Sequence, residues 1–313
     1  MLTRITNQMM MASAQRNLQS SSAQLAQRQD QASTLKAINR PSDDPIGTAA
    51  SLQVRGQATA AAQYGRNIDD GTSWLNTIDS ALYGTSSIMN QVRDLTVQGG
   101  NGSLNQAAKD ALATQIEGLK ADLLNQANSK FQGRNVFAGS SDAGTAFTAP
   151  TAADLSADPT ADYAFTGTAG SAVERRIAPG TTVRVDADGA GIFGASGTAG
   201  SPGAQPSVFK LLDNITATLR AGGDPSPQLN GIDARMQTMT TAHAEMGTRQ
   251  AQILKAKDTN LALQNSLEAQ RSGIEDLDLG RSVLNLQMQQ VSYQAALAVT
   301  AKVLPQTLMD FLR

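Results

Sequence analysis

Heptad-spaced residues near both ends of the chain constrain its fold more than any other feature. Towards the C-terminus, small and apolar residues recur at intervals of 4, 3, 4 and 3, at Leu284, Met288, Val291, Ala295 and Ala298. The N-terminal stretch carries a thinner stripe of the same kind, at Met11, Leu18, Leu25 and Leu35. Because this repeat keeps one face of a helix against a partner, both stretches are predicted to be coiled-coil helices.

Helices with so thin an apolar stripe are marginal alone, because most helix stability comes from packing. We therefore expect the two terminal helices to pair with each other as an antiparallel coiled coil. The same residues could only hold the fold together, or they could also pack against neighbouring subunits. Charged residues make up 17% of the chain, below the usual quarter or so, which favours the second role. We interpret the nine residues as an assembly seam.

The stretch INRPSDDPIG (38–47) interrupts the helical pattern. Pro41 lacks an N–H and disfavours helical backbone at Arg40, so the first helix is predicted to end there. Asp44 is a good N-cap and Pro45 suits the first position of a new helix. Asp43 and Asp44 also suit the positive end of that helix. These five residues predict a boundary between a terminal coiled-coil segment and a helical body.

The composition changes in the middle of the chain, where residues 139–206 are rich in Gly, Ala, Thr, Ser and Pro. Short β-prone runs occur at 162–167, 172–178 and 181–187, the last two joined by a Pro–Gly turn. The fold class is predicted to be mainly α, elongated, with a small β insert. The predicted segments are an N-terminal coiled-coil helix (1–40), a helical body in two parts (41–138 and 207–275), the insert (139–206) and a C-terminal coiled-coil helix (276–313).

Residues that could carry chemistry are scarce. The chain has no cysteine and one histidine, which excludes thiolate sites and sites with several histidines. His243 and Glu245 are two residues apart on a predicted helix and do not face each other. The stretch 186–191 resembles the start of a calcium loop but lacks its closing glutamate, so a β-turn is the better interpretation. We expect no catalytic residue, metal or cofactor.

Neither the charge nor the apolar runs of the sequence indicate binding to nucleic acid or insertion into a membrane. The net charge of −2 gives no basic footprint for nucleic acid, and no run of about 18 apolar residues could span a membrane. The N-terminus has no apolar segment typical of a secretory signal, so by such signals alone the chain would be expected in the cytosol. A group of mixed charges indicates a solvated face or a register device: Arg271, Glu275, Asp276, Asp278 and Arg281.

Three stretches resemble the flagellin superfamily of bacterial flagella. INRPSDDPIGTAASLQVRGQ (38–57) and SSIMNQVRDLTVQGGNGS (86–103) are similar to its N-terminal block. DLDLGRSVLNLQMQQVSYQAALAVTAKVLPQTLMDFLR (276–313) is similar to its C-terminal block. The resemblance covers roughly residues 1–140 and 207–313 and carries nothing over to the insert. It implies a structural protein of the flagellum rather than an enzyme.

Two roles within the superfamily have to be separated: the subunit of the filament, and the protein at the junction between hook and filament. NSKFQGRNVFAGSSD (128–142) and the prolines of NRPSDDP (39–45) are more similar to the junction protein. The filament subunit is the alternative, and a surface-binding or adhesin-like insert on a flagellar scaffold is a third interpretation.

The junction role implies particular partners and a location. The partners would be copies of the chain in a ring, a neighbouring hook-associated protein and flagellin. A cytosolic export chaperone would bind the C-terminal region before assembly. The resemblance also implies export through the flagellar type III apparatus to the extracellular flagellum, instead of the cytosolic location that the absent secretory signal suggests.

Overall fold

The computed structural model describes residues 2–158, 161–168, 170–194 and 206–309, with side chains from position 9 to position 301. The helices are α1 (Leu2–Thr34), α2 (Pro45–Gly99), α3 (Gln106–Ala127), α4 (Ala152–Ala157), α5 (Gly189–Phe193), α6 (Val208–Arg220), a short 3-10 helix (Ser226–Gln228), α7 (Leu229–Glu275) and α8 (Leu279–Met309). The strands are β1 (Lys130–Phe131), β2 (Arg134–Asn135), β3 (Phe147–Thr148), β4 (Ala164–Phe165), β5 (Glu174–Ala178) and β6 (Thr181–Arg184). The prediction of a mainly α chain with small β elements in its middle is confirmed.

The chain divides into two compact units, one made of Met1–Ala61 with Ala262–Arg313, and the other of Ala62–Leu261. We call them the terminal unit and the central unit. The dividing points fall inside α2 and α7, whereas the sequence analysis placed segment boundaries near residues 40 and 275.

In the terminal unit, α1 packs along α8, so the predicted pairing of the terminal helices is confirmed. The start of α2 packs on the end of α7 through a small cluster in which Val54, Ala61 and Leu267 are buried. These side chains are small or aliphatic, as close packing of two helices requires. The terminal unit is therefore built from two helix pairs.

The central unit has one continuous apolar core. Residues of α2, α3, α6 and α7 contribute to it, and so do residues of the stretch from 130 to 194, which contains the six strands and which we call the β segment. Phe147 contacts both Phe193 and Phe209, with ring centroids 5.6 and 5.4 Å away. The predicted insert therefore shares the core of the helical body instead of enclosing its own.

The strands pair as three short antiparallel hairpins, β1 with β2, β3 with β4 and β5 with β6. Pro179 and Gly180 form the turn between β5 and β6, and the left-handed φ of 74° at Gly180 suits a residue without Cβ. β4, β5 and β6 lie within the predicted β-prone runs. The pair β1–β2 lies before residue 139 and was missed because each strand has only two residues.

The first helix ends earlier than predicted. α1 ends at Thr34, six residues before Arg40, because Leu35 takes a left-handed φ of 58°. The chain then makes strand-like hydrogen bonds to the link between α7 and α8: Leu277 N–H donates to Leu35 O, and Ala37 N–H donates to Glu275 O. Pro41 therefore restricts a backbone that has already left the helix, and it does not end α1.

Candidate functional site

One side of α8 faces α1 with a mixture of apolar and polar side chains. Among the half-buried residues of α8, five recur at intervals of 3, 4, 3 and 4, at Leu286, Gln289, Tyr293, Ala296 and Thr300. We call these five residues the inner face. The Gln289 side-chain amide donates to the backbone oxygen of Ser21 on α1, at 3.3 Å. The inner face is thus a heptad seam in its own right, although it is partly polar.

The predicted C-terminal seam lies on the other side of the same helix. Leu284, Met288 and Val291 are 62%, 62% and 65% exposed, and Ala295 and Ala298 are exposed as well. We call these five residues the outer face. The expectation that they pack against α1 is wrong. Positions two residues apart on a helix point about 200° apart, so α8 carries two heptad seams on opposite sides, and the polar one pairs with polar α1.

The N-terminal part of the predicted seam is divided. Met11, Leu18 and Leu25 are half-buried and follow one line along α1. Leu35 lies beyond the end of α1 and is 53% exposed, so it does not belong to this line. A heptad pattern places residues on one face only while the helix continues. Because α1 ends before Leu35, Leu35 is not on the same face as Met11, Leu18 and Leu25.

The outer face of α8 is both apolar and free of charge. No Asp, Glu, Lys or Arg occurs between Ser282 and Ala301. Two further exposed apolar side chains lie beside the outer face on the helix, Val283 and Val299. Contiguous apolar surface without charge marks a site of interaction on a soluble protein. Within the terminal unit, the outer face is the strongest candidate site.

Residues 40–45, at the predicted boundary before α2, form a turn that we call the boundary turn. Aspartate side chains stabilise it. Asp44 Oδ1 accepts the N–H groups of Ile46 and Gly47 at 3.1 and 2.9 Å, and thereby caps α2, whose first residue is Pro45. Asp43 Oδ2 accepts the N–H of Arg40 at 2.8 Å.

Gly47 leaves no room for a side chain in this turn. A Cβ there would lie 2.4 Å from Asp44 Oδ2 and 2.7 Å from Ile38 Cδ1. A side chain at position 47 would therefore have to displace the Asp44 carboxylate and Ile38 from their present positions.

Glu275 at the end of α7 is the residue that the sequence interpretation missed. It was placed among charges on a solvated face, but it is only 5% exposed. Arg55 binds its carboxylate with two nitrogens, at 2.6 and 2.7 Å, and the Ser51 hydroxyl donates to the same group. These hydrogen bonds, above all those from Arg55, lower the pKa of Glu275 to about 2. Arg55 and Glu275 are 220 residues apart in sequence, so no local pattern could reveal the pair.

A cleft in the central unit, of about 540 Å³, lies between the β segment and α7. Its two arginines are already engaged in the fold. Arg184 binds the buried carboxylate of Asp186 with two nitrogens, both at 2.9 Å, and Arg249 donates to the backbone oxygen of Asp186 at 2.9 Å. Arg249 therefore fastens the β segment to α7, and Arg184 holds the Asp186 side chain within the β segment, so both geometries indicate a structural role.

The single histidine also has a structural role. His243 on α7 forms a pair with Asp79 on α2 at 2.7 Å, and Glu245 does not face it. Among the side chains that the structure describes, no three histidines and carboxylates are grouped so as to hold a metal ion. No helix within the described residues is long and apolar enough to cross a membrane.

Comparison with known proteins places these features in a family. The model of the bacterial flagellin N-terminal helical region matches residues 5–142, and that of the C-terminal helical region matches residues 229–312. The chain is 27% identical to flagellin of Bacillus subtilis, over 88% of each chain. It is 25% identical to flagellar hook-associated protein 3 of Salmonella typhimurium, over 94% of each chain.

A solved structure shares the fold. The flagellar junction protein FlgL from Legionella pneumophila superposes with a TM-score of 0.57 at 14% identity. The match covers 72% of the present chain and all of the Legionella chain.

Proposed function

Because the chain belongs to the flagellin superfamily, we propose that it is a structural subunit of the bacterial flagellum that joins the hook to the filament. The observation that carries this proposal is the outer face of α8, a complete apolar heptad seam that remains exposed while α1 covers the opposite side. A helix with two seams is suited to pair within its own chain and with a neighbouring subunit at the same time.

The outer face would drive assembly by burying apolar surface. Complete burial of a leucine, methionine or valine side chain contributes about 1.5–3 kcal/mol. Leu284, Met288 and Val291 together would therefore supply several kilocalories per mole at each contact. A contact of one copy's outer face with a different surface of the next copy is heterologous, and such contacts close into rings when the rotation allows it.

The sequence of one segment, residues 128–142, favours the junction role over the filament role. Residues 128–142, whose sequence resembles the junction protein, contain the β1–β2 hairpin. The prolines of the boundary turn and the likeness of the fold to a junction protein support the same role. The relative from Bacillus subtilis is a flagellin, so the filament subunit is the alternative.

The partners proposed with this role are copies of the chain in a ring, a neighbouring hook-associated protein and flagellin. A cytosolic export chaperone would cover the C-terminal region, including the outer face, before assembly. The chain would leave the cell through the flagellar export apparatus and act in the extracellular flagellum. We propose no catalytic role, because the charged groups described above bind one another within the fold.

Deletion of the gene separates the two flagellar roles. Loss of a junction protein should give cells with hooks but without filaments, and flagellin should accumulate in the medium. If filaments are absent and no flagellin is secreted while the other hook-associated proteins are, the chain is the filament subunit. Normal filaments and motility in the deletion strain would contradict both roles. Electron microscopy and analysis of secreted proteins provide the two readouts.

A further inference from the structure

The dipeptide Asn–Gly occurs twice in the chain, at Asn101–Gly102 and at Asn230–Gly231. Both asparagines are exposed, but their backbones differ. Asn101 lies in the turn between α2 and α3, and Asn230 lies in the first turn of α7. We propose that Asn101 is a site of spontaneous covalent modification through a succinimide, and that Asn230 is protected from it by the helix.

The reaction needs water and no other reagent. The backbone nitrogen of Gly102 attacks Cγ of Asn101, so that an N–Cγ bond forms and the Cγ–Nδ2 bond breaks. Ammonia leaves with the proton that the Gly102 nitrogen loses. Water then opens the five-membered ring at one of its two carbonyl groups. The product is an aspartate or an isoaspartate, and either carries a new carboxylate.

The turn at Asn101 favours this attack. Leu104 N–H donates to Asn101 O at 3.1 Å, which makes Asn101 the first residue of a four-residue turn. Ser103 donates to Asn101 Oδ1 twice, from its N–H at 3.1 Å and from its hydroxyl at 2.8 Å. Two donors on that oxygen draw electron density from Cγ and stabilise the negative charge that forms there during attack.

Gly102 leaves its own nitrogen accessible. A glycine has no Cβ to shield the neighbouring nitrogen, and no atom outside residues 101–103 lies within 4 Å of the point where a Cβ of Gly102 would be. The approach of Asn101 Cγ to this nitrogen is therefore free of obstruction from surrounding side chains.

The second Asn–Gly dipeptide, Asn230–Gly231, has a helical backbone conformation instead of a turn. Ring closure requires rotation about the Cα–C bond of the asparagine, and the α-helix fixes this torsion at Asn230. Gly231 is also packed closely, because a Cβ there would lie 3.1 Å from Leu211 Cδ1. Formation of a succinimide at Asn230 would disrupt the first turn of α7, which raises the barrier to the reaction.

The modification would alter the link between α2 and α3. An aspartate at position 101 keeps the acceptor for Ser103 and adds one negative charge to the net charge of −2. An isoaspartate adds a carbon to the main chain, so the hydrogen bond from Leu104 to Asn101 is lost. This turn leads directly into Asn105, whose side chain caps α3 by accepting Ala108 N–H at 2.9 Å.

The test is peptide mapping of the full folded chain after incubation at mildly alkaline pH. The peptide that contains Asn101 should gain about one mass unit as its amide becomes a carboxylate, with aspartate and isoaspartate forms that separate on chromatography. The peptide that contains Asn230 should stay unchanged. In the urea-unfolded chain both peptides should convert, which attributes the difference to the fold.

Two variants complete the test. Gly102→Ala has room for its methyl group and should suppress conversion at Asn101, because the new Cβ shields the nitrogen. Gly231→Ala is the matched control and should leave conversion at Asn101 unchanged. Conversion of Asn230 as fast as Asn101 in the folded chain, no conversion at Asn101, or no effect of Gly102→Ala would overturn the proposal.

Discussion

Leu284 and Leu286 lie two residues apart on α8 and point to opposite sides of it. Leu286 is half-buried on the face that meets α1, and Leu284 is 62% exposed on the other face. Each is the first member of a heptad series, and the exposed series is the more apolar of the two. The pairing of α1 with α8 therefore leaves the more apolar seam, the outer face, exposed. The proposed assembly role follows from this exposure.

Truncation of these two leucines should have different effects on the free chain. Leu286→Ala should lower the free energy of unfolding by about 1–2 kcal/mol, less than for a fully buried leucine because the side chain is half-buried. Leu284→Ala should change it by no more than about 0.5 kcal/mol, as expected for an exposed position. Urea unfolding followed by circular dichroism measures both. Equal losses for the two variants would show that the assignment of the faces is mistaken.

Glu275→Gln should destabilise the terminal unit. The amide cannot accept two charged hydrogen bonds from Arg55 as the carboxylate does, and hydrogen bonds to charged groups contribute about 1.5–3 kcal/mol. We expect a loss in this range at neutral pH. Glu268→Gln is a suitable control, because Glu268 is an exposed residue of α7 that pairs only within the helix, with Arg271.

The contribution of Glu275 should depend on pH. Its folded-state pKa of about 2 lies below the ordinary value of 4.5, so the carboxylate stabilises the fold above pH 4.5. That contribution should fade as the pH drops from about 4.5 to 2, because the unfolded state binds the proton in this range before the folded state does. The difference in unfolding free energy between the natural chain and Glu275→Gln should shrink over this window. A difference that stays constant from pH 6 to pH 3 would contradict the role of the ion pair.

Two glycines of α2 should respond in opposite ways to alanine. Gly47→Ala would bring a methyl group against the capping carboxylate of Asp44, so we expect a loss of about 1–3 kcal/mol. Apart from its own stretch of helix, Gly56 has no atom within 4 Å of its Cβ position, so Gly56→Ala should stabilise the helix by about 0.5–1 kcal/mol. Thermal unfolding of the two variants provides the comparison. Stabilisation by both substitutions would mean that the turn can move aside.

Local patterns were sufficient to predict the long helices, three of the strands and the pairing of the terminal helices, but not the short helices α4 and α5. They could not show which face of α8 meets α1, because two seams offset by two residues satisfy the same heptad rule. The end of α1 was misplaced because Pro41 is a visible helix breaker, whereas the turn at Leu35 depends on hydrogen bonds to residues 275–277.

The candidate site was predictable only in part. The outer face was identified by residue type and spacing, since Leu284, Met288 and Val291 are apolar in a region without charge. The ion pair between Arg55 and the buried Glu275 was not, because its members are distant in sequence and each resembles a surface charge. The sequence also did not show that the β segment shares one apolar core with the helical body, because the phenylalanines of this segment are spread over short runs.

The most direct test of the assembly role places a charge on the outer face of α8. Met288→Glu and Gln290→Glu each add one negative charge at an exposed position of the same helix, but Gln290 lies off the outer face. Both variants should fold and be secreted. Filament attachment in a gene-deletion strain that expresses each variant is the measurement. We predict that Gln290→Glu restores filaments on hooks and that Met288→Glu does not. Restoration of filaments by Met288→Glu to the level of the natural chain would contradict the account.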